Sequence, residues 1–177
     1  PFYTVRGVSN FNAFTRDGVG FFIDDVPYDF AGFIDQDLVD LERIEVLRGP
    51  QNTLYGRSSA GGVINVITRR PTNEYEFKAA ASYGSFEALE TQLSVSGPIV
   101  EDELLFRLSG SYGTQDGYVD NTFLDDDIDG GTSITGRGQL LWTPSDEWEV
   151  LLNASVSDYR EGAEPLVLVR PGDPFES

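Results

Sequence analysis

From Tyr75 to Ser157 the sequence keeps a two-residue period through five successive runs, and a period of two belongs to extended chain with two chemically different faces. In the first run Tyr75, Phe77, Ala79, Ala81 and Tyr83 oppose Glu76, Lys78, Ala80 and Ser82. Residues 89–96 set Leu89, Thr91, Leu93 and Val95 against Glu90, Gln92, Ser94 and Ser96, and 104–112 set Leu104, Phe106, Leu108, Gly110 and Tyr112 against Leu105, Arg107, Ser109 and Ser111. The fourth run opposes Ile134, Gly136, Gly138, Leu140 and Trp142 to Thr135, Arg137, Gln139 and Leu141; the fifth opposes Trp148, Val150, Leu152, Ala154 and Val156 to Glu149, Leu151, Asn153, Ser155 and Ser157. Runs of about nine to eleven residues have the length of tilted strands that cross a bilayer.

The connections support that reading. "GPIVEDE" and "TPSDE" are short and polar, whereas the link from Gly113 to Gly131 is long, and the chain leaves the pattern again after Asp158; "YGSF" is a short exception on the long-loop side. Short turns at one end and long loops at the other characterise outer-membrane barrels. Trp142 and Trp148 flank one short turn, with Tyr83 and Tyr112 at the opposite strand ends, where aromatic girdles belong. A soluble sandwich alternates too, but its inward face must be packed with bulk, and here the apolar face is thinned by Ala and Gly, which lipid tolerates and a packed core does not. Five strands cannot close a barrel with a polar lumen, so the chain reads as the front part of a longer one.

Composition narrows the chemistry. Cys, Met and His are all absent, which removes disulfides, thiol nucleophiles, histidine metal sites and the Ser-His-Asp triad. Asp and Glu are plentiful without a defined pair, and no nucleophile has a base beside it, so neither an enzyme nor a cofactor is expected. No apolar run approaches the roughly 18 residues of a spanning helix. The net charge of −18 divides unevenly: seven Arg face nine Asp and Glu through Pro71, leaving −2 there and −16 beyond. Such a surface is solvated and repels phosphate backbones, so nucleic-acid binding is not expected. A start at "PFYTVRG", without Met or a leader, suits a processed chain or a fragment.

Residues 1–71 read differently, as a small mixed α/β unit. "FYTVRGV" and "VGFFIDDVPY" suit short strands, and "GVINVITRR" is β-branched on both faces, as in a strand shielded from water on each side. Leu38, Leu41, Ile44 and Leu47, spaced by three, predict one helical face before a switch to strand through "IEVLRGP", which Gly49-Pro50 ends. About 70 residues without disulfide or metal make a marginal free core, so packing inside something larger is expected.

"LERIEVLRGPQNTLYGRSSAGGVINVITRRP", with "TVRGV" and "FFIDDVPY" before it in order, resembles the plug domain of TonB-dependent outer-membrane receptors, the energised importers of ferric siderophores, haem, cobalamin and some sugars. The resemblance implies an all-β transmembrane barrel, 22-stranded in the family with about five strands here, behind an N-terminal mixed α/β plug domain. Residues 1–71 would be plug, its N-terminal part missing, and 72–177 the start of the barrel. It further implies the bacterial outer membrane with its lipid and lipopolysaccharide, TonB as a partner through a TonB box before residue 1, and a ferric siderophore as favoured ligand. Arg6 in "VRG" and Arg48 in "LRGP" match plug arginines that face glutamates on the barrel wall as a latch, or else fix local turns. Ligand-facing loop tips fall near 9–14 and 27–33, where Asn10, Phe11, Asn12, Tyr28, Phe30 and Phe33 offer amide donors and aromatic faces, although Phe11 or Phe33 equally suits a core. Cobalamin, haem or oligosaccharide import, a passive porin and a surface-binding barrel remain as alternatives.

Two further motifs are weaker. Asp125, Asp127, Asp129 and Gly130 reproduce half of a calcium loop, but Gly136 stands where its bidentate Glu should be, so a solvated acidic loop is expected and no metal site. The glycine stretches at 18–20 and 60–62 lack phosphate-loop spacing and read as turns.

Overall fold

The computed structural model describes residues 4–5, 8–9, 18–28, 38–50, 61–117, 119–121, 126–128 and 130–161. Two sheets dominate. The smaller has four strands, β3 (Val19–Ile23), β4 (Val26–Tyr28), β5 (Leu41–Arg48) and β6 (Gly62–Thr68), in the order β4-β3-β6-β5, with β3 parallel to β6 and the other pairs antiparallel. The first two strands, β1 (Thr4–Val5) and β2 (Val8–Ser9), pair with each other ahead of it. As its β-branched composition predicts, β6 is shielded on both faces: Val63, Asn65 and Val66 have almost no exposure, and Val19, Phe22, Ile23 and Val39 complete the core. Each such apolar side chain contributes about 1.5–3 kcal/mol when fully buried.

"FFIDDVPY" is a hairpin whose two turn residues, Asp24 and Asp25, have φ of 50° and 64°. Two consecutive left-handed residues make the turn that matches strand twist, and Asp is among the few side chains that tolerate it. The helical expectation for 38–48 is not met. Leu41–Arg48 is strand throughout, paired with β6 from Leu41↔Thr68 to Arg48↔Gly62 with a bulge between Leu41 and Arg43. A full ladder to a buried neighbour outweighs a chance spacing of three, and no helix occurs among the described residues. The strand stops at Arg48, where Gly49 takes φ 101°.

The larger sheet is antiparallel, in the order β7-β8-β9-β12-β13, with β7 (Glu76–Tyr83), β8 (Leu89–Val100), β9 (Leu104–Gln115), β12 (Gly131–Ser145) and β13 (Trp148–Glu161). Its later strands run three or four residues beyond the alternating runs at an end, because the ladders continue past them, as at Gly131↔Glu161. Between β9 and β12 a two-stranded ribbon, β10 (Val119–Asn121) and β11 (Asp126–Ile128), occupies the long link; part of the acidic run is thus strand, and Asp125 and Asp129 lie outside the described residues.

Register places the faces as the alternation predicts. Phe77, Val95, Leu108, Gly138 and Ala154 form one cross-strand row on an apolar, exposed face, with Phe77 72% exposed and Leu152, in the adjacent row, 62%. At Gly97 the Tyr75 ring lies across the backbone, its hydroxyl donating to Pro98 O at 3.0 Å; a Cβ there would meet Tyr75 Cδ1 at 2.4 Å. Leu105 and Leu141, nearly buried, lie on the opposite face toward the short turns. No helix among the described residues is long and apolar enough to cross a membrane, which says nothing of strands.

Candidate functional site: a polar clasp between the two sheets

The polar face of the large sheet carries one continuous row, Glu76↔Ser96↔Arg107↔Gln139↔Asn153, one side chain from each strand. The small sheet presses one end against it. Arg107 is only 3% exposed, and a buried guanidinium requires a paired anion. Asp40, just ahead of β5 and 8% exposed, supplies it with both carboxylate oxygens, Nε meeting Oδ2 and Nη2 donating to Oδ1 at 2.8 Å. This two-pronged geometry is the strongest that Arg and a carboxylate form. Asp40 is held in turn: its φ is 57°, its carbonyl accepts Arg69 N at 3.0 Å, and Arg69 Nε lies 3.7 Å from Oδ1. Glu76 Oε2 stands 3.6 Å from Arg107 Nη1 and 3.7 Å from Lys78 Nζ.

Asp24 makes the second arm. Its carboxylate accepts Thr68 N at 2.8 Å and Thr68 Oγ1 at 2.7 Å within the small sheet. Across the interface it accepts Arg137 Nη1 at 3.2 Å and Asn153 Nδ2 at 3.3 Å. Gln139 Nε2 donates to Thr68 Oγ1 at 3.1 Å, while its buried Oε1 has no partner among the described residues. The neighbouring Asp25 pairs with buried Asn65, whose Nδ2 donates to Asp25 Oδ1 at 2.7 Å. The hairpin turn is therefore tied down from both sheets, with its two left-handed residues aiming their carboxylates at donors.

The connection between the sheets is stitched as well. Thr72 N donates to Ser96 Oγ at 2.9 Å, which donates to Phe106 O at 3.0 Å. Asn73 and Asp102 pair reciprocally at 2.6 and 3.0 Å, and Arg70 pairs with Glu149 at the surface.

The residues singled out from sequence are mostly elsewhere. Arg6, Asn10, Phe11, Asn12, Phe30 and Phe33 lie outside the described residues. Tyr28 ends β4 opposite Phe21, half-buried and away from the clasp, and Arg48 ends β5 exposed, also away from it. The arrangement on view has the reverse polarity of the expected latch: acids on the small sheet, arginines on the large one. A signal for it stood in the alternation, since Lys78, Arg107 and Arg137 are the cations on the polar faces of 76–157, in a segment otherwise heavily acidic. No group of potential metal ligands occurs among the described residues.

Comparison with known proteins places this geometry. Residues 1–63 match the TonB-dependent Receptor Plug Domain family. The chain is 33% identical over 154 residues to the pesticin receptor of Yersinia enterocolitica, covering 86% of this chain and 23% of that protein. To the probable TonB-dependent siderophore receptor PirA of Acinetobacter baumannii it is 36% identical over 132 residues, 66% of this chain and 17% of the relative. Among solved structures, the ferric yersiniabactin uptake receptor FyuA from Yersinia pestis superposes with a TM-score of 0.82 at 32% identity, covering 89% of this chain and 25% of that one. The chain thus spans about a quarter or less of the length of the relatives it matches.

Proposed function

The chain belongs to the TonB-dependent outer-membrane receptors, and from that premise we propose that the whole protein actively imports a ferric siderophore across the bacterial outer membrane. The small sheet is the plug, with residues 1–71 as its extent, and 72–177 begin the barrel wall, which in the family closes with 22 strands. The apolar row led by Phe77 then faces lipid and lipopolysaccharide, and the row with Arg107 faces the lumen.

The observation that carries this reading is the clasp. A folded plug sheet fixed to the lumen face by Asp40 and Asp24 suits a gate opened by work rather than a passive pore. The names of the relatives, receptors for siderophores and metal chelates, favour an iron chelate over cobalamin, haem or oligosaccharide. Asn10, Phe11, Asn12, Tyr28, Phe30 and Phe33 are proposed to contact that ligand from the plug. Arg6 and Arg48 are proposed to latch onto glutamates of later strands. TonB engages through a box ahead of this chain.

The test is native mass spectrometry with metal analysis of the full-length receptor purified from iron-starved cells. A bound ferric chelate is expected; cobalamin, haem or a sugar would overturn the substrate while leaving the receptor class in place.

A further inference from the structure

The apolar face of the large sheet is not flat. Gly138 on β12 and Ala154 on β13 stand side by side with almost no side-chain bulk, and a cavity of about 530 Å³ opens over them. Leu108 borders it, the cross-strand row Phe106, Leu140 and Leu152 forms its next wall, and Ile99 closes the end nearest the turn between β8 and β9. A hydrocarbon chain lying in such a trough meets side chains on three sides, whereas on a flat apolar face it meets them on one, so dispersion contacts accumulate there.

The place of the trough along the strands fixes what stands at its mouth. Trp142 is one row nearer the short turns, roughly 7 Å along the strand, and Trp148 follows across the turn; both rings are exposed. Such amphipathic rings lie at the headgroup level of a bilayer. The turns at that level are acidic throughout: residues 99–104 and 143–149 hold Glu101, Asp102, Glu103, Asp146, Glu147 and Glu149 and no Lys or Arg. Asp102 is met by Asn73 and Glu149 by Arg70, but Glu101, Glu103, Asp146 and Glu147 have no ion-pair partner among the described residues. A rim of this kind attracts an ammonium and repels a headgroup whose only charge is phosphate.

We propose that the trough binds one phospholipid whose headgroup carries an ammonium beyond its phosphate. An acyl chain lies over Gly138 and Ala154, the phosphate stands at the level of Trp142 and Trp148, and the ammonium meets the acidic turns. This rests on the reading of 72–177 as barrel wall. The trough accounts for retention of the chain and the turns account for choice of the headgroup.

The test uses the full-length receptor, washed free of lipid in detergent, offered phosphatidylethanolamine or phosphatidylglycerol with identical acyl chains and read by native mass spectrometry. The unaltered receptor is expected to retain one more phosphatidylethanolamine than Ala154→Phe, which fills the trough from the lipid side and should leave the fold intact. Phosphatidylglycerol should be retained at that position about fivefold less. Glu101→Gln, Glu103→Gln, Asp146→Asn and Glu147→Gln combined should equalise the two lipids while leaving a lipid bound. Equal adduct numbers in the unaltered receptor and Ala154→Phe overturn the site, and a preference that survives the four neutral substitutions overturns the headgroup assignment. If the unaltered receptor also fails to insert into vesicles of either lipid, the barrel reading falls with the site.

Discussion

At the scale of single residues, the decisive fact is that Asp40 and Arg107 are both nearly dry and satisfied by each other. Removing one partner strands the other, so Arg107→Ala in the full-length receptor is expected to destabilise the plug against the wall by about 3–5 kcal/mol, with Arg69 recovering part of this through its distant contact. The double variant Asp40→Leu with Arg107→Met should cost less than either single change, because it leaves no buried charge. Thermal unfolding of the three proteins checks this; strictly additive losses would refute the coupling. Gly97 gives a second case. Gly97→Ala forces its Cβ into the Tyr75 ring and is expected to cost about 1–3 kcal/mol, most of it relieved when Tyr75→Ala is added.

At the scale of elements, the faces of the large sheet were legible from residue alternation, because a strand with one apolar and one polar face repeats every two residues, a period that no helix copies. Leu152→Arg is therefore expected to reduce stability by about 2–4 kcal/mol, whereas Ser157→Arg on the polar face should be near neutral; equilibrium unfolding in lipid or detergent separates them. The element misread is as informative. Leu38, Leu41, Ile44 and Leu47 mimic a helical stripe, but β5 is held by its ladder to β6, a non-local pairing that no window of sequence contains. The clasp was illegible for the same reason: Asp24 and Arg137 are 113 residues apart, and Asp40 and Arg107 are 67 apart. Alternation put Arg107 and Arg137 on the polar face without showing that the small sheet covers them or which acids they meet.

At the scale of the whole molecule, the proposed import makes the small sheet a gate and the large sheet part of its frame. Asp24→Ala with Asp40→Ala in the full-length receptor should leave the barrel folded and let a large hydrophilic antibiotic through, read as increased growth inhibition without any energy source for opening. Unchanged sensitivity would mean that the contacts beyond this chain suffice to seat the plug. The short stitched link has a further consequence. Residues 69–75 alone join β6 to β7, a reach of roughly 25 Å at full extension. A gate on such a leash meets its seat at an effective concentration in the millimolar range or above, so reclosure is a first-order, concentration-independent event. Under the proposed import, each receptor would reset itself after every cycle, whatever its abundance in the membrane.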